Sequence, residues 1–555
     1  MNGQRIGRML LLGFLLFGDR AGLVAARAAS DPADEAMSQI RPEAIRADMR
    51  FLADDLLEGR GPGTRGHEIA ARFVAARFEA DGLEPAGDNG TYFQFIPFRS
   101  FHPDEKQTSL TLVRGGKEET LVFRRDFITY RQTTRKETSV EAPVVYVGYG
   151  ITAPDQAYDD YQGIDAKGKI VAFLYGAPAK FESTMRAHYS FRTLKAANAV
   201  AHGAVGFFYL HTPDQEHIYS FADQMHEMAF SDFHWLNPDG IPGDDFAQLR
   251  GYSILSLDGV SKLLAGSGKT PEELFLAAKE SKTASFILPV TARIHVVDHT
   301  EDLRSPNVVA RLRGSDPALR DEYVVLTAHS DHLGIGDPVD GDNVYNGAID
   351  DASGTACLIE IAKAFSGMSP RPRRSILFVS TTAEEKGMLG SDYFAHYPTV
   401  PRDSIVADVD IDGEPGLWPM EDVILFGSGH STLDLSAKEA ARRMGLDVTA
   451  DPWPEQGEFV RQDGYSFVRQ GVPTIEPDVG IKSSDPQIKP REIAEFWNDH
   501  IYHTPKDDMK QKFDFEASVK YAQFNFLLGY LLAQNTERPA WNPGDFFGET
   551  YGKKK

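Results

Sequence analysis

Tyr323-Val324-Val325-Leu326-Thr327-Ala328 runs directly into His329-Ser330-Asp331-His332. The run is short, apolar and rich in β-branched residues, with no polar alternation. That predicts a strand buried on both faces, of the kind found in parallel sheets covered by helices. Two further runs end in the same way. Ser375-Ile-Leu-Phe-Val-Ser-Thr-Thr-Ala383 leads into Glu384-Glu385, and Ile405-Val-Ala-Asp-Val-Asp-Ile411 leads into Asp412-Gly413.

Outward from these runs the pattern repeats as strand, loop, helix. Strands are expected at 323–326, 375–379, 404–409 and 473–475, and helices at about 354–365, 433–444 and 517–532. The alternation predicts an α/β fold, a mostly parallel mixed sheet flanked by helices. Upstream, Ala44 to Glu58 is apolar at helical spacing. Gly59-Arg60-Gly61-Pro62-Gly63 breaks it, and a second helix runs from about His67 to Asp81, with Gly82 as its cap. Between about 136 and 290 the texture differs. Pro143–Val147, Lys169–Leu174 and Ala204–Tyr209 read as strands and Lys195–Ala201 as a helix, but no strand there ends in an acid. Residues 212–250 read as a surface insertion whose histidines (His217, His226 and His234) lack a compact ligand spacing.

A chain of 555 residues is too long for one ordinary core, and 42% hydrophobic with 25% charged residues reads as globular. A net charge of −23 argues against a nucleic-acid partner. Arg5 and Arg8, the apolar run Met9–Phe17 and Ala26-Arg27-Ala28 read as a cleaved export signal, placing the mature protein in the periplasm or outside the cell with no stable membrane span. The apolar run falls short of the roughly 20 residues a spanning helix needs. Cys357 is the single cysteine, expected as a small buried helix residue.

In an open α/β sheet, residues at the carboxyl ends of the strands gather along one edge. Clustered carboxylates do not all stay ionised without a cation, and histidine mixed with Asp and Glu points to zinc over magnesium or calcium. Two more pieces join the set: the loop Asn346-Gly-Ala-Ile-Asp350-Asp351-Ala-Ser-Gly354, which opens a helix, and Tyr502-His503-Thr504-Pro505-Lys506-Asp507 before the last helix.

In this order the pieces resemble the M28 metallopeptidase family of zinc aminopeptidases and glutamate carboxypeptidases. The likeness includes Ala383-Glu384-Glu385-Lys-Gly-Met-Leu-Gly-Ser391 and the Gly59–Thr64 segment, and the middle region resembles a protease-associated domain. It implies a zinc-exopeptidase (phosphorylase/hydrolase-like) fold. Residues 1–28 would be the signal peptide, 31–135 the first part of the peptidase domain, 136–290 an inserted β-rich α+β protease-associated domain, and 291–555 the main part of the peptidase domain. It implies two Zn2+ ions sharing Asp350. His329 and Asp412 would hold one and Glu385 and His503 the other. Asp331 would orient His329, Glu384 would serve as general base, and Tyr502 would steady the oxyanion. Asp410 competes with Asp412, since residues two apart on a strand share a face; Asp412 is preferred because it directly precedes the glycine.

The implied activity is that of an exported dizinc exopeptidase acting on peptides, an aminopeptidase first. The alternatives are a carboxypeptidase or amidohydrolase that reads a substrate carboxylate through Arg461 or Lys386, and a metal-free receptor on the same scaffold. An aminopeptidase would hold the free α-ammonium through Asp463 or Glu458. The segment Asp463-Gly464-Tyr465-Ser466-Phe467 departs from the Ser-Asp-His pattern of many relatives, with Gln462 and Gly464 in the outer places, and this leaves substrate preference open.

Overall fold

A computed structural model describes residues 31–129, 135–243, 246–413 and 415–553; the export segment at 1–28 lies outside them. At the centre lie four parallel strands, side by side in the order Ser375–Thr381, Tyr323–His329, Ile405–Asp410 and Thr474–Val479. Antiparallel strands flank them: Phe286–Leu312 beyond Ser375–Thr381, and Asp422–Phe426 beyond Thr474–Val479. Phe93–Pro103 pairs antiparallel with the second half of Phe286–Leu312. The mixed, mostly parallel α/β sheet predicted from the alternation is the architecture observed.

All seven residues of Tyr323–His329 are buried, as a strand covered on both faces requires. Alternate side chains go to opposite layers. Val324, Leu326 and Ala328 pack with the helices Gly354–Ser366, Phe515–Gln534 and Arg65–Ala80. Val325 packs on the other side with Phe394 and Phe467, from the helices Leu389–His396 and Asp463–Val468. Cys357 is buried and free on the first of these layers, as expected. Gly82, at φ +74°, follows the helix Arg65–Ala80 in the place where a C-terminal cap glycine was predicted.

The second layer of sheet does not follow the boundaries 136 and 290 expected from texture. Its strands include Ser109–Arg114, Glu137–Tyr146, Ile170–Leu174, Gly206–Leu210 and Tyr252–Leu255, and its edge begins some way upstream of residue 136. Downstream, Phe286–Leu312 is one unbroken strand. Residues 286–297 pair with Glu137–Tyr146 in this second sheet, and residues 298–312 pair with Phe93–Pro103 and Ser375–Thr381 in the central one. No linker separates the modules there, because one backbone serves both sheets, and composition cannot mark a boundary inside a strand.

Residues 212–250 are likewise more than a surface insertion. They contain the helices Pro213–Ile218 and Phe221–Glu227, and the strand Asp232–Trp235 anneals antiparallel to Phe93–Pro103 of the central sheet. Trp235 is buried and its indole N–H donates to Asp392 at 2.8 Å. Among the described residues, no helix is long and apolar enough to cross a membrane.

Candidate metal centre

The three strand ends named at the outset meet at one edge of the sheet. His329 closes its strand, and its backbone N–H donates to Asp351 (3.1 Å) while its carbonyl accepts from the Thr355 hydroxyl (2.7 Å). The loop carrying Asp350 turns tightly against it. A Cβ on Gly354 would meet the Ile411 carbonyl at 2.1 Å, and Gly347, at φ +56°, would press one onto the His332 ring at 2.5 Å. Glycine at both places lets the Asp350 loop lie flat between two strand ends.

Asp350 sits at the centre of the cluster. One of its carboxylate oxygens is 3.1 Å from His329 Nε2, and that nitrogen is also 3.4 Å from Asp412. The other oxygen is 3.3 Å from His503 Nε2, which lies 3.1 Å from Glu385. His332 Nδ1 approaches the other Glu385 oxygen at 2.5 Å and Asp350 at 3.8 Å. Two donor groups therefore share Asp350: His329, Asp350 and Asp412, and His332, Asp350 and Glu385. His503 closes on the second group. His332 stood in the quoted motif without a role. The signal was present, an imidazole three residues past His329, but only the bend of the loop turns it toward Glu385.

Residues distant in sequence hold these loops. The fully buried Arg60 guanidinium donates to the carbonyls of Leu52 (2.6 Å), Ser330 (2.9 Å), Asn346 (2.5 Å) and Gly347 (2.9 Å). It thus ties the His329 loop to the Asp350 loop. Asp507 accepts from the backbone N–H groups of Ile349 (2.9 Å) and Asp350 (3.1 Å). From the inserted module, Glu227 lies 3.5 Å from His503 Nδ1. Arg60→Ala would take a donor from four buried carbonyls, of which that of Gly347 keeps the Ala352 N–H at 3.2 Å. It is expected to lower unfolding free energy by about 3 kcal/mol or more, read as a lower thermal midpoint. A midpoint equal to wild type would show that the guanidinium is not holding the loops.

The other residues singled out in the sequence are placed as follows. Asp412 borders the cleft, whereas Asp410 is enclosed, accepting from the Thr327 hydroxyl (2.9 Å) and the Gly464 N–H (2.7 Å). Its lone pairs are taken by the scaffold. Asp331 reaches His329 through its backbone: His329 Nδ1 is 3.2 Å from the Asp331 carbonyl and 3.8 Å from the carboxylate. The carboxylate instead accepts the Glu384 backbone N–H at 3.2 Å. Tyr502 stacks on the His503 ring, centroids 3.8 Å apart, at the cleft wall. Asp463 is buried and accepts from the Thr381 hydroxyl, while Glu458 borders the cleft and pairs with Arg461 at 2.5 Å. Lys386 lies over the Phe230 ring at 5.2 Å.

The electrostatics follow from burial and crowding. Burial pushes the Glu384 carboxyl well above the usual range, and Asp463, Glu385 and Asp412 add to this against the pull of His329. Burial likewise raises Asp331 to about 7. Asp350 and Glu385 go the other way: the imidazoles around them outweigh burial and hold both below the ordinary carboxylate range. Asp412, by contrast, is raised by burial to about 6, so the imidazoles keep Asp350 and Glu385 ionised while Glu384 stands beside them as a proton acceptor of raised basicity.

The cluster opens into a cleft of about 830 Å³ bordered by Glu384, Glu385, Asp350, Asp412, Tyr502 and His503. Phe191, Asp214, His217 and Ile218 form part of its wall. The scaffold is an α/β sheet whose strand ends carry two carboxylate–imidazole donor groups that could hold a metal ion. In sequence, residues 307–525 match the model of Peptidase family M28.

The chain is 25% identical over 364 residues to the aminopeptidase NAALADL1 of Rattus norvegicus, covering 57% of this chain and 42% of that protein. It is 37% identical over 111 residues to a probable zinc metalloprotease of Leptosphaeria maculans, covering 20% of this chain and 23% of that one. It thus spans less than half the length of these curated relatives. The solved structure of an aminopeptidase from Aneurinibacillus sp. strain AM-1 shares the fold at TM-score 0.52 and 20% identity, covering 90% of this chain and 95% of that chain.

Proposed function

We propose that this protein is an exported, zinc-dependent aminopeptidase that removes N-terminal residues from peptides, with Glu384 as its general base. The observation that carries the reading is a set of unpaired donors. His329 Nε2, both ring nitrogens of His332 and of His503, and one Glu385 oxygen are buried without a well-formed hydrogen bond. Leaving that many polar atoms unpaired costs free energy unless a cation engages them. Nitrogen and carboxylate donors together suit zinc.

In this reading His329, Asp350 and Asp412 hold one ion, and Asp350, Glu385 and His503 hold a second, with His332 beside that group. Zinc bound there would acidify a water molecule and polarise the scissile carbonyl. Glu384, on the cleft side, takes a proton from the attacking water and returns it to the departing nitrogen. Asp331 fixes the Glu384 backbone through its N–H, and Tyr502 offers its hydroxyl to the charge that develops on the carbonyl oxygen.

Arg461 on the cleft wall favours the carboxypeptidase reading, but its guanidinium is engaged by Glu458. The surrounding wall is acidic, which suits a substrate ammonium better than a carboxylate. The test is a panel of short peptides with free or acetylated N-termini, each with free or amidated C-termini. Cleavage confined to free N-termini is expected. Turnover that depends instead on the C-terminal carboxylate would transfer the protein to the carboxypeptidase reading. Purified protein that binds no zinc would favour the receptor reading.

A further inference from the structure

One wall of the cleft is built on the pair of strands Asp422–Phe426 and Thr474–Val479. In their antiparallel register Glu476 lies opposite Phe426, and Asp478 lies opposite Ile424. Directly opposed residues place their side chains on the same face. Residues 424 and 426 on one strand, and 476 and 478 on the other, each lie two apart, so all four share that face. All four border the cleft.

Glu476 is unusual among them. It is 4% exposed, and its Oε2 atom is buried with no hydrogen-bond partner among the described residues. Burial, and then Asp410, Asp412, Asp478 and Glu458, push its carboxyl well above the usual range. Arg461, the only arginine or lysine bordering the cleft among the described residues, is committed to Glu458. Among the described residues no group therefore satisfies the Glu476 Oε2 atom, and Phe426 and Ile424 lie beside it on the same face. An apolar wall next to an unpaired acid matches a side chain with an aliphatic stem and a cationic head.

We infer that Glu476, with Phe426 and Ile424 beside it, forms a subsite for the cationic side chain of a substrate's terminal lysine or arginine. The inference rests on the aminopeptidase reading for which terminus is bound, but not for the chemistry of the side chain. The stem of the residue covers the apolar wall, and its ammonium or guanidinium donates to Glu476. An acidic terminal residue would meet like charge and be rejected.

The test compares lysyl and norleucyl amides of one fluorogenic amine, since norleucine keeps an unbranched apolar stem and lacks the ammonium. Wild-type protein is expected to favour lysine by about 10- to 100-fold in kcat/KM, the range for a hydrogen bond to a charged group. Glu476→Gln should abolish most of that preference while leaving norleucyl turnover within about threefold. Equal wild-type rates for the two substrates would overturn the inference without needing any variant. So would a Glu476→Gln protein that lost both activities in parallel, since that marks a structural role. If only N-acetylated peptides with free C-termini are cleaved, the aminopeptidase reading fails on its own. Peptides ending in lysine or norleucine then judge the subsite by the same ratio.

Discussion

Glu384→Gln is expected to lower kcat by about 10²- to 10⁴-fold, the usual contribution of a positioned acid–base group. The amide keeps the shape of the side chain and its place on the cleft wall but cannot take a proton from water. Glu384 belongs to neither donor group around Asp350, so bound zinc should stay near the wild-type level. The backbone hydrogen bond from Glu384 to Asp331 survives the change, so the loop has no reason to move. The measurement pairs kcat with zinc content by elemental analysis. Activity within about tenfold of wild type would mean that another group is the base. Loss of zinc along with activity would mean that Glu384 is itself a ligand.

Asp350→Ala is expected to remove both zinc binding and turnover. Asp350 is the residue common to the two donor groups, one oxygen facing His329 and the other facing His503. Its removal leaves Asp412 and Glu385 with no carboxylate between them: the first group keeps only His329 and Asp412, and the second loses the residue it shares with the first. Even residues that only support a metal ligand typically change affinity by about 10- to 100-fold, and loss of a shared ligand should exceed that. Competition with a zinc-sensitive dye measures the affinity. Asp410→Asn is the matched control: its carboxylate is taken by Thr327 and Gly464, so the variant should keep its zinc. If Asp410→Asn lost zinc and Asp350→Ala kept it, the assignment of the centre would be wrong.

The strands were legible because their signal is local. Tyr323–Leu326 shows its burial in four consecutive residues, and the strand observed merely extends three residues further, to His329. The helix at 433–444 matches its expected bounds for the same reason, with an apolar face repeating at the helical period. Residues 212–250 were not legible. Their two short helices and the strand Asp232–Trp235 gain stability from neighbours such as Phe93–Pro103, over 100 residues away, and leave little periodicity of their own. The boundary of the inserted module failed for a related reason, since Phe286–Leu312 passes between two sheets without a break in composition.

The chemistry at the strand ends was written in the chain itself. His329, Glu384, Glu385 and Asp412 each follow an apolar run, and a parallel sheet brings the carboxyl ends of its strands to one edge. Tertiary structure decided which atoms meet there. It turned His332 toward Glu385, enclosed Asp410 while leaving Asp412 at the cleft, and carried Arg60 to the carbonyl of Ser330, 270 residues away. The physical reason is range. Strand and helix periods are set by neighbours a few residues apart, whereas the partner of a buried polar atom is set by whatever the completed packing brings within about 3 Å.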